Sequence, residues 1–159
     1  MTQGLALITP PAGLALAPRP DPGPALVRLW VPGTPVPQGS KSVNPRSGGM
    51  FEANKQTMPW RGMVSSCATL CRAHNRRLGL PLKGPVLGRF VFYFHRPKSV
   101  TPAQRPYPDV PPDLDKLIRA VKDGLKGTLL TDDSQVVRYH DPGKEYGEPG
   151  CLVELWELV

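Results

Sequence analysis

The run Pro111-Pro112-Asp113-Leu114-Asp115, with the periodic stretch behind it, constrains this chain more than any other segment. Two consecutive prolines cannot extend a helix toward the N-terminus, and each biases its predecessor toward extended backbone. From Leu114 the apolar residues fall at Leu114, Leu117, Ile118, Val121 and Leu125, which is helical spacing with one buried stripe. An amphipathic helix is therefore expected to start abruptly after the prolines, with Asp113 or Asp115 as its N-cap and Gly127 as its stop. Thr128 to Thr131 reads as a short strand or extended link, Thr131-Asp132-Asp133-Ser134 as a turn, and Val136-Val137 as the start of another strand.

Around this segment the pattern alternates. Residues 1–24 are rich in Pro, Gly and Ala without a sustained period, so a disordered N-terminal arm is expected there, followed by one domain over residues 25–159. Leu26 to Val31 reads as a strand, apolar on both faces apart from Arg28. Residues 32–55 read as a flexible basic loop carrying Lys41, Arg46 and Lys55. Pro59 to Leu78 reads as a long helix with an inward stripe of Met63, Cys67, Leu70, Cys71 and His74 or Leu78. Val86 to His95 is the clearest strand, with Phe90, Phe92 and Phe94 on one face. Arg96 to Val110 is a proline-rich connection, Gln135 to Tyr139 a strand, His140 to Gly150 a turn with Lys144 near its middle, and Cys151 to Leu158 a closing strand. The fold class expected is α/β, a small mixed β-sheet packed with two main helices.

At 159 residues the chain can bury one good core. Lysine and arginine outnumber aspartate and glutamate 20 to 13, a formal charge of +7 that favours a polyanion as partner. No apolar run approaches the roughly 20 residues a spanning helix needs. The apolar patch Leu5 to Ile8 lacks a basic flank and is broken by Pro10 and Pro11, so no secretory signal is expected and the cytoplasm is the expected compartment. Three cysteines, an odd number, fit a reducing environment. Cys67, Cys71, His74 and Cys151 match no closed zinc spacing and read as small buried thiols with a rim histidine. His95 on its own means little.

The acids carry more. Carboxylates without paired His or Cys favour magnesium or manganese over zinc. Were residues 113–115 extended, the pleat would set Asp113 and Asp115 on one side. Asp132 or Asp133 would complete a cluster if the returning chain brought it beside the helix start. Lys116, Arg119 and Lys122 are close enough in sequence to steady a phosphate. Each part also has a plain explanation: helix caps, an Asx-type turn, a wet helix face. Spacing alone reaches a metal-dependent phosphodiesterase and stops there.

The segment 112–137 resembles the signature of the RusA family of Holliday junction resolvases, in which a D-x-D-N-x-x-K helix start is followed by D-x-L and then a D-D-x-Q-V strand. Asp113, Leu114, Asp115, Asp123, Leu125, Asp132, Asp133, Gln135 and Val136 carry the resemblance. Gly33 to Lys41 and Lys144 to Gly147 resemble the family more loosely, and the similarity spans roughly residues 26–158. It implies a homodimeric, Mg²⁺-dependent endonuclease (Mn²⁺ as a substitute) that binds four-way DNA junctions, nicks two strands symmetrically in recombination and repair, and is often phage-encoded. Carried over, the metal ligands are Asp113, Asp115 and Asp133 with Asp132 adjacent, Arg119 stands at the catalytic lysine position, and Lys41, Arg46, Lys55, Lys116, Lys122 and Lys144 are candidate DNA contacts. Two residues depart from the pattern: Lys116 replaces an asparagine, and Arg119 a lysine. Arginine clamps a phosphate but does not readily give up a proton. The alternatives are a non-catalytic branched-DNA-binding protein, for which Lys116 and Arg119 speak, a broader flap nuclease, and, more weakly, an RNA-binding module.

Overall fold

The structure, a computed structural model, describes residues 21–39, 41–43, 46–48, 50–52 and 54–158. The expected arm lies outside the described residues up to residue 20. Behind it, the Gly23 carbonyl accepts the Trp156 indole N–H at 3.0 Å, and Leu26 N donates to Leu155 O at 3.0 Å.

The elements in chain order are β1 (Val27–Pro32), β2 (Lys41–Val43), β3 (Met50–Glu52), α1 (Thr57–His74), β4 (Val86–Phe94), α2 (Leu114–Leu125), β5 (Val136–Tyr139), β6 (Gly143–Tyr146) and β7 (Gly150–Glu157). Short 3₁₀ turns follow α1 at Arg76–Leu78 and precede β5 at Asp133–Gln135. The main sheet runs β1-β7-β4, and the far edge of β4 is shared by β5 and β6. β1 and β4 each pair antiparallel with β7, while β5 and β6 pair parallel with β4. This is the mixed sheet with two helices that the pattern predicts.

β4 is the spine. Phe90 and Phe92 are fully buried beneath the helices, and Phe94 packs against the same core. β1 alternates strictly, with Val27, Leu29 and Val31 inward and Arg28 and Trp30 outward, so only one face is buried although Trp30 makes the other partly apolar as well. The expected turn over residues 140–150 contains β6. Four residues of β5 cover only the start of β4, and the chain, after bending at Asp141 and Pro142, resumes pairing with Val91 to Phe94. The expected loop over residues 32–55 contains the β2–β3 hairpin, registered Lys41 to Glu52 and Val43 to Met50.

α1 and α2 pack against each other. The inward side of α1 is Thr57, Trp60, Val64 and Ala68, which corrects the expected stripe: Met63 is 44% and Leu70 61% exposed, and His74 lies outside. The cause is the helix contact. Val64 meets α2 at Gly124, where the axes come so close that only short side chains fit, and this turns the longer Met63 and Leu70 away.

β4, α2 and β5 form a parallel crossover unit. α2 therefore runs back against β4, from the end of the strand near Phe94 to its start near Val86.

Candidate active site

The entrance to α2 is held by backbone tethers. Lys144 Nζ donates to the carbonyls of Val110 at 2.7 Å and Pro112 at 3.0 Å, fixing the chain just ahead of Asp113. The Arg96 guanidinium lies 3.9 Å over the Tyr146 ring and donates to the carbonyls of Arg105 and, at 3.3 Å, Pro106, which shapes the proline-rich connection. Lys144, a candidate DNA contact by sequence, thus commits two of its three donors to backbone.

Asp113 has extended backbone and occupies the N-cap position, but its carboxylate makes no cap hydrogen bond. It pairs instead with Lys116 Nζ at 3.0 Å, and the bridge raises the lysine above its ordinary value. Helix geometry begins at Leu114, so Asp115 stands in the first turn of α2 and the pleated placement of the two acids on one side does not arise.

Below Asp115, the spacings 4, 3 and 4 put Arg119, Lys122 and Lys126 along one side of the helix. Gly127, with φ +79°, reverses the chain, Leu129 and Leu130 are fully buried, and the return delivers Asp132 and Asp133 to the foot of this row. Lys126 Nζ lies 2.6 Å from Asp132 and 3.9 Å from Asp133, and Lys122 Nζ is 3.5 Å from the Asp133 carbonyl. Asp132 is spent on structure. Its carboxylate accepts the Ser134 N–H at 3.0 Å, while the Gln135 side chain accepts the Asp132 N–H at 2.9 Å, a reciprocal cap of the 3₁₀ turn. The Lys126 ammonium, and behind it Ser134, hold the Asp132 carboxyl far below the usual range.

The four acids suit a hard dication by donor chemistry. Their placement does not. Asp113 and Asp115 stand where α2 starts, Asp132 and Asp133 beside its last turn, and among the described residues no three His, Cys, Asp or Glu gather closely enough to hold a metal ion.

Asp123, also in the signature, belongs to a packing knot. Arg61 of α1 reaches it at 2.8 Å. With its amide oriented to satisfy both partners, Gln38 donates to Asp123 at 3.2 Å and accepts from Arg61 at 3.0 Å, and its backbone N–H donates to Lys116 O at 3.0 Å. The base of the β2–β3 hairpin is thereby tied to α2. Arg46 and Lys55 are exposed on or near that hairpin, and the Lys41 side chain lies outside the described residues. Burial pushes the Cys67 and Cys71 thiols up, and most strongly that of Cys151, which faces the core from β7 far along the chain from the exposed His74.

Lys126, Gln38 and Arg61 were not legible as site residues, because their partners come from other elements. Gln135, named above only for the family resemblance, had a local signal that went unread: Asp-x-x-Gln at 132–135 is a capping-box spacing.

The family model described as endodeoxyribonuclease RusA matches residues 32–155, most of the chain. A comparison with curated proteins found no match.

Proposed function

We propose that this chain, which belongs to the RusA family of endodeoxyribonucleases, resolves four-way DNA junctions as a homodimer with Mg²⁺ or Mn²⁺ as cofactor. The observation that carries the reading is the family match over residues 32–155, which includes the acids at both ends of α2 and the basic row between them. In this reading Asp113, Asp115 and Asp133 are the metal ligands, and Asp132, fixed by its cap, orients its neighbour. Arg119, Lys122 and Lys116 bind and orient the scissile phosphate. Arg119 does so as a bidentate clamp that stays protonated. Lys41, Arg46 and Lys55 hold the arms of the junction near the hairpin, and their contacts to phosphate make binding salt-dependent without reading sequence. Lys144 contributes by holding the α2 entrance. Two strands must be nicked in one junction, and a two-fold dimer supplies two equivalent sites for that task.

The test is a nicking assay on four-way junction, flap, linear duplex and single strand at one salt concentration, with Mg²⁺, Mn²⁺ or chelator. Paired nicks on the junction alone, lost with chelator and with Asp115→Asn while the variant still binds junction, are the expected result. Cleavage of flaps at equal rate would move the reading to a broader nuclease. A second reading, a branched-DNA-binding protein without catalysis, draws support from the lysines already paired with Asp113 and Asp132. Tight junction binding with no nicking under either metal would select it.

A further inference from the structure

The connection from β4 to α2 builds a small cavity just ahead of Asp113. Phe94 at the end of β4, Tyr146 of β6 and the buried Pro108 make its inner wall, His95, Val110 and Pro111 stand at its exposed rim, and it encloses about 170 Å³. These walls are braced. The Arg96 guanidinium donates to the carbonyls of Thr101 at 3.4 Å and Pro106 at 3.3 Å, Arg105 pairs with Asp109 at 3.2 Å, and Lys144 ties Val110 and Pro112 to β6. One lining residue also carries an unmet polar group. The Tyr146 hydroxyl is buried and has no hydrogen-bond partner among the described residues, a state that folded proteins rarely leave uncompensated. Its ring lies under the Arg96 guanidinium at 3.9 Å.

We infer that this cavity receives one unstacked base of the DNA strand whose scissile phosphate is bound beside Asp113. The inference rests on the proposed function and deepens it. Size argues for a single planar ring system, since pockets for drug-sized ligands enclose about 300–1,000 Å³. Position argues for a group on the same strand. Successive Cα atoms are about 3.8 Å apart, so Pro111 and Pro112 stand within about 8 Å of Asp113, and nucleotides repeat at about 3.4 Å along a strand. Charge agrees: no carboxylate lines the cavity, and Arg96, Lys98 and Lys144 are next to lining residues in the chain. Proline and aromatic rings offer flat apolar faces, on which every base can stack whatever its sequence. The Tyr146 hydroxyl can donate or accept, so it can meet the edge of any base. At the branch point of a junction the helical stack is already interrupted, which lowers the cost of turning one base aside.

The experiment measures junction affinity in chelator for wild type and Val110→Trp, each with an intact four-way junction and with junctions made abasic at one nucleotide at a time around the branch point. Val110 is 39% exposed at the rim, so a larger ring fills the cavity without entering the core. In wild type, one abasic position is expected to weaken binding about tenfold, within what stacking of a single base contributes. Val110→Trp is expected to lose about tenfold on the intact junction and nothing further at that position. Equal abasic losses in both proteins, or no sensitive position at all, overturn the inference while a wild type that nicks the junction in Mg²⁺ keeps the nuclease reading. A wild type that neither binds nor nicks the junction removes both. Tyr146→Phe supplies a readout that a structural role would not move. The free protein should melt no lower than wild type, because only an unpartnered hydroxyl is lost, while the intact junction binds about fivefold more weakly, the worth of one hydrogen bond. A lower melting temperature with unchanged binding counts against the base contact. Circular dichroism identifies a folding failure of Val110→Trp, in which case His95→Trp, from the same rim, repeats the cycle.

Discussion

Gly124→Ala should destabilise the protein although it removes a glycine from the interior of a helix. At that position a methyl carbon would stand 2.8 Å from both Cβ and Cγ1 of Val64 and 3.2 Å from the Arg61 carbonyl. Alanine relieves a helix penalty of about 1 kcal/mol. Against this, carbon atoms pack best at about 3.5–4.0 Å, and overpacking of a filled core costs about 1–3 kcal/mol. Val64 Cβ is attached to the α1 backbone and cannot rotate aside, so the two helices must separate and the cost falls at or beyond the upper end. The net loss is about 2 kcal/mol, which for a chain of this length lowers the melting temperature by about 4–8 °C. Urea unfolding of wild type and variant measures it directly. The same substitution should cost less in a Val64→Ala background, where one of the two close carbons is gone, and the difference is the coupling between the helices. A variant that melts at or above wild type would refute the argument that close approach of α1 and α2 decides the sign. Because α2 carries Asp115 and Arg119, the separation should also reduce nicking at temperatures where the variant is still folded.

Gln135→Ala should cost about 2–4 kcal/mol at about 1 kcal/mol per hydrogen bond, because its amide joins the Thr131 and Asp132 N–H groups to the Leu82 and Gly84 carbonyls; thermal unfolding reads it, and a loss under 1 kcal/mol contradicts the role. Asp132 has a folded-state carboxyl held below its ordinary 3.8, so its contribution is complete above about pH 4 and disappears as the pH falls through the lowered value. Asp132→Asn should therefore flatten the acid limb of melting temperature against pH while leaving a constant offset from pH 5 to 8, and an unchanged acid limb would count against the Lys126 and Ser134 contacts. Lys122→Ala should weaken binding to every DNA junction sequence alike and reduce the slope of log affinity against log salt by about one in chelator; a sequence-dependent loss would mean base readout instead. Lys144→Met should impair nicking more than chelator-phase junction binding, since its ammonium holds carbonyls at the α2 entrance, and equal losses in both assays would restore it as a DNA contact.

What the sequence disclosed and what it withheld follow from where each residue finds its partner. The start of α2 was legible because it is local, prolines forbidding an earlier one; the helix itself ends at Leu125 with Lys126 already extended, ahead of the expected stop at Gly127, whose left-handed backbone turns the chain afterwards. β4 was legible because its phenylalanines alternate against one large core, and a period of two is a property of the strand alone. The facing of α1 was not, since Met63 and Leu70 are as apolar as Val64 and Ala68 and only the contact with Gly124 selects between them. β6 was hidden for a similar reason. Gly143 to Tyr146 has little strand character, and it pairs because β4 offers an edge that β5 leaves open. The site divides along the same line. That these acids are candidates for the chemistry could be read from their spacing and from the family resemblance, but their distribution over the two ends of α2 depends on the direction of the crossover, which no local pattern encodes. The motif is compact in sequence because one helix and one return carry it. The same helix makes it long in space, with Asp113 and Asp115 where it starts and Asp132 and Asp133 beside its last turn.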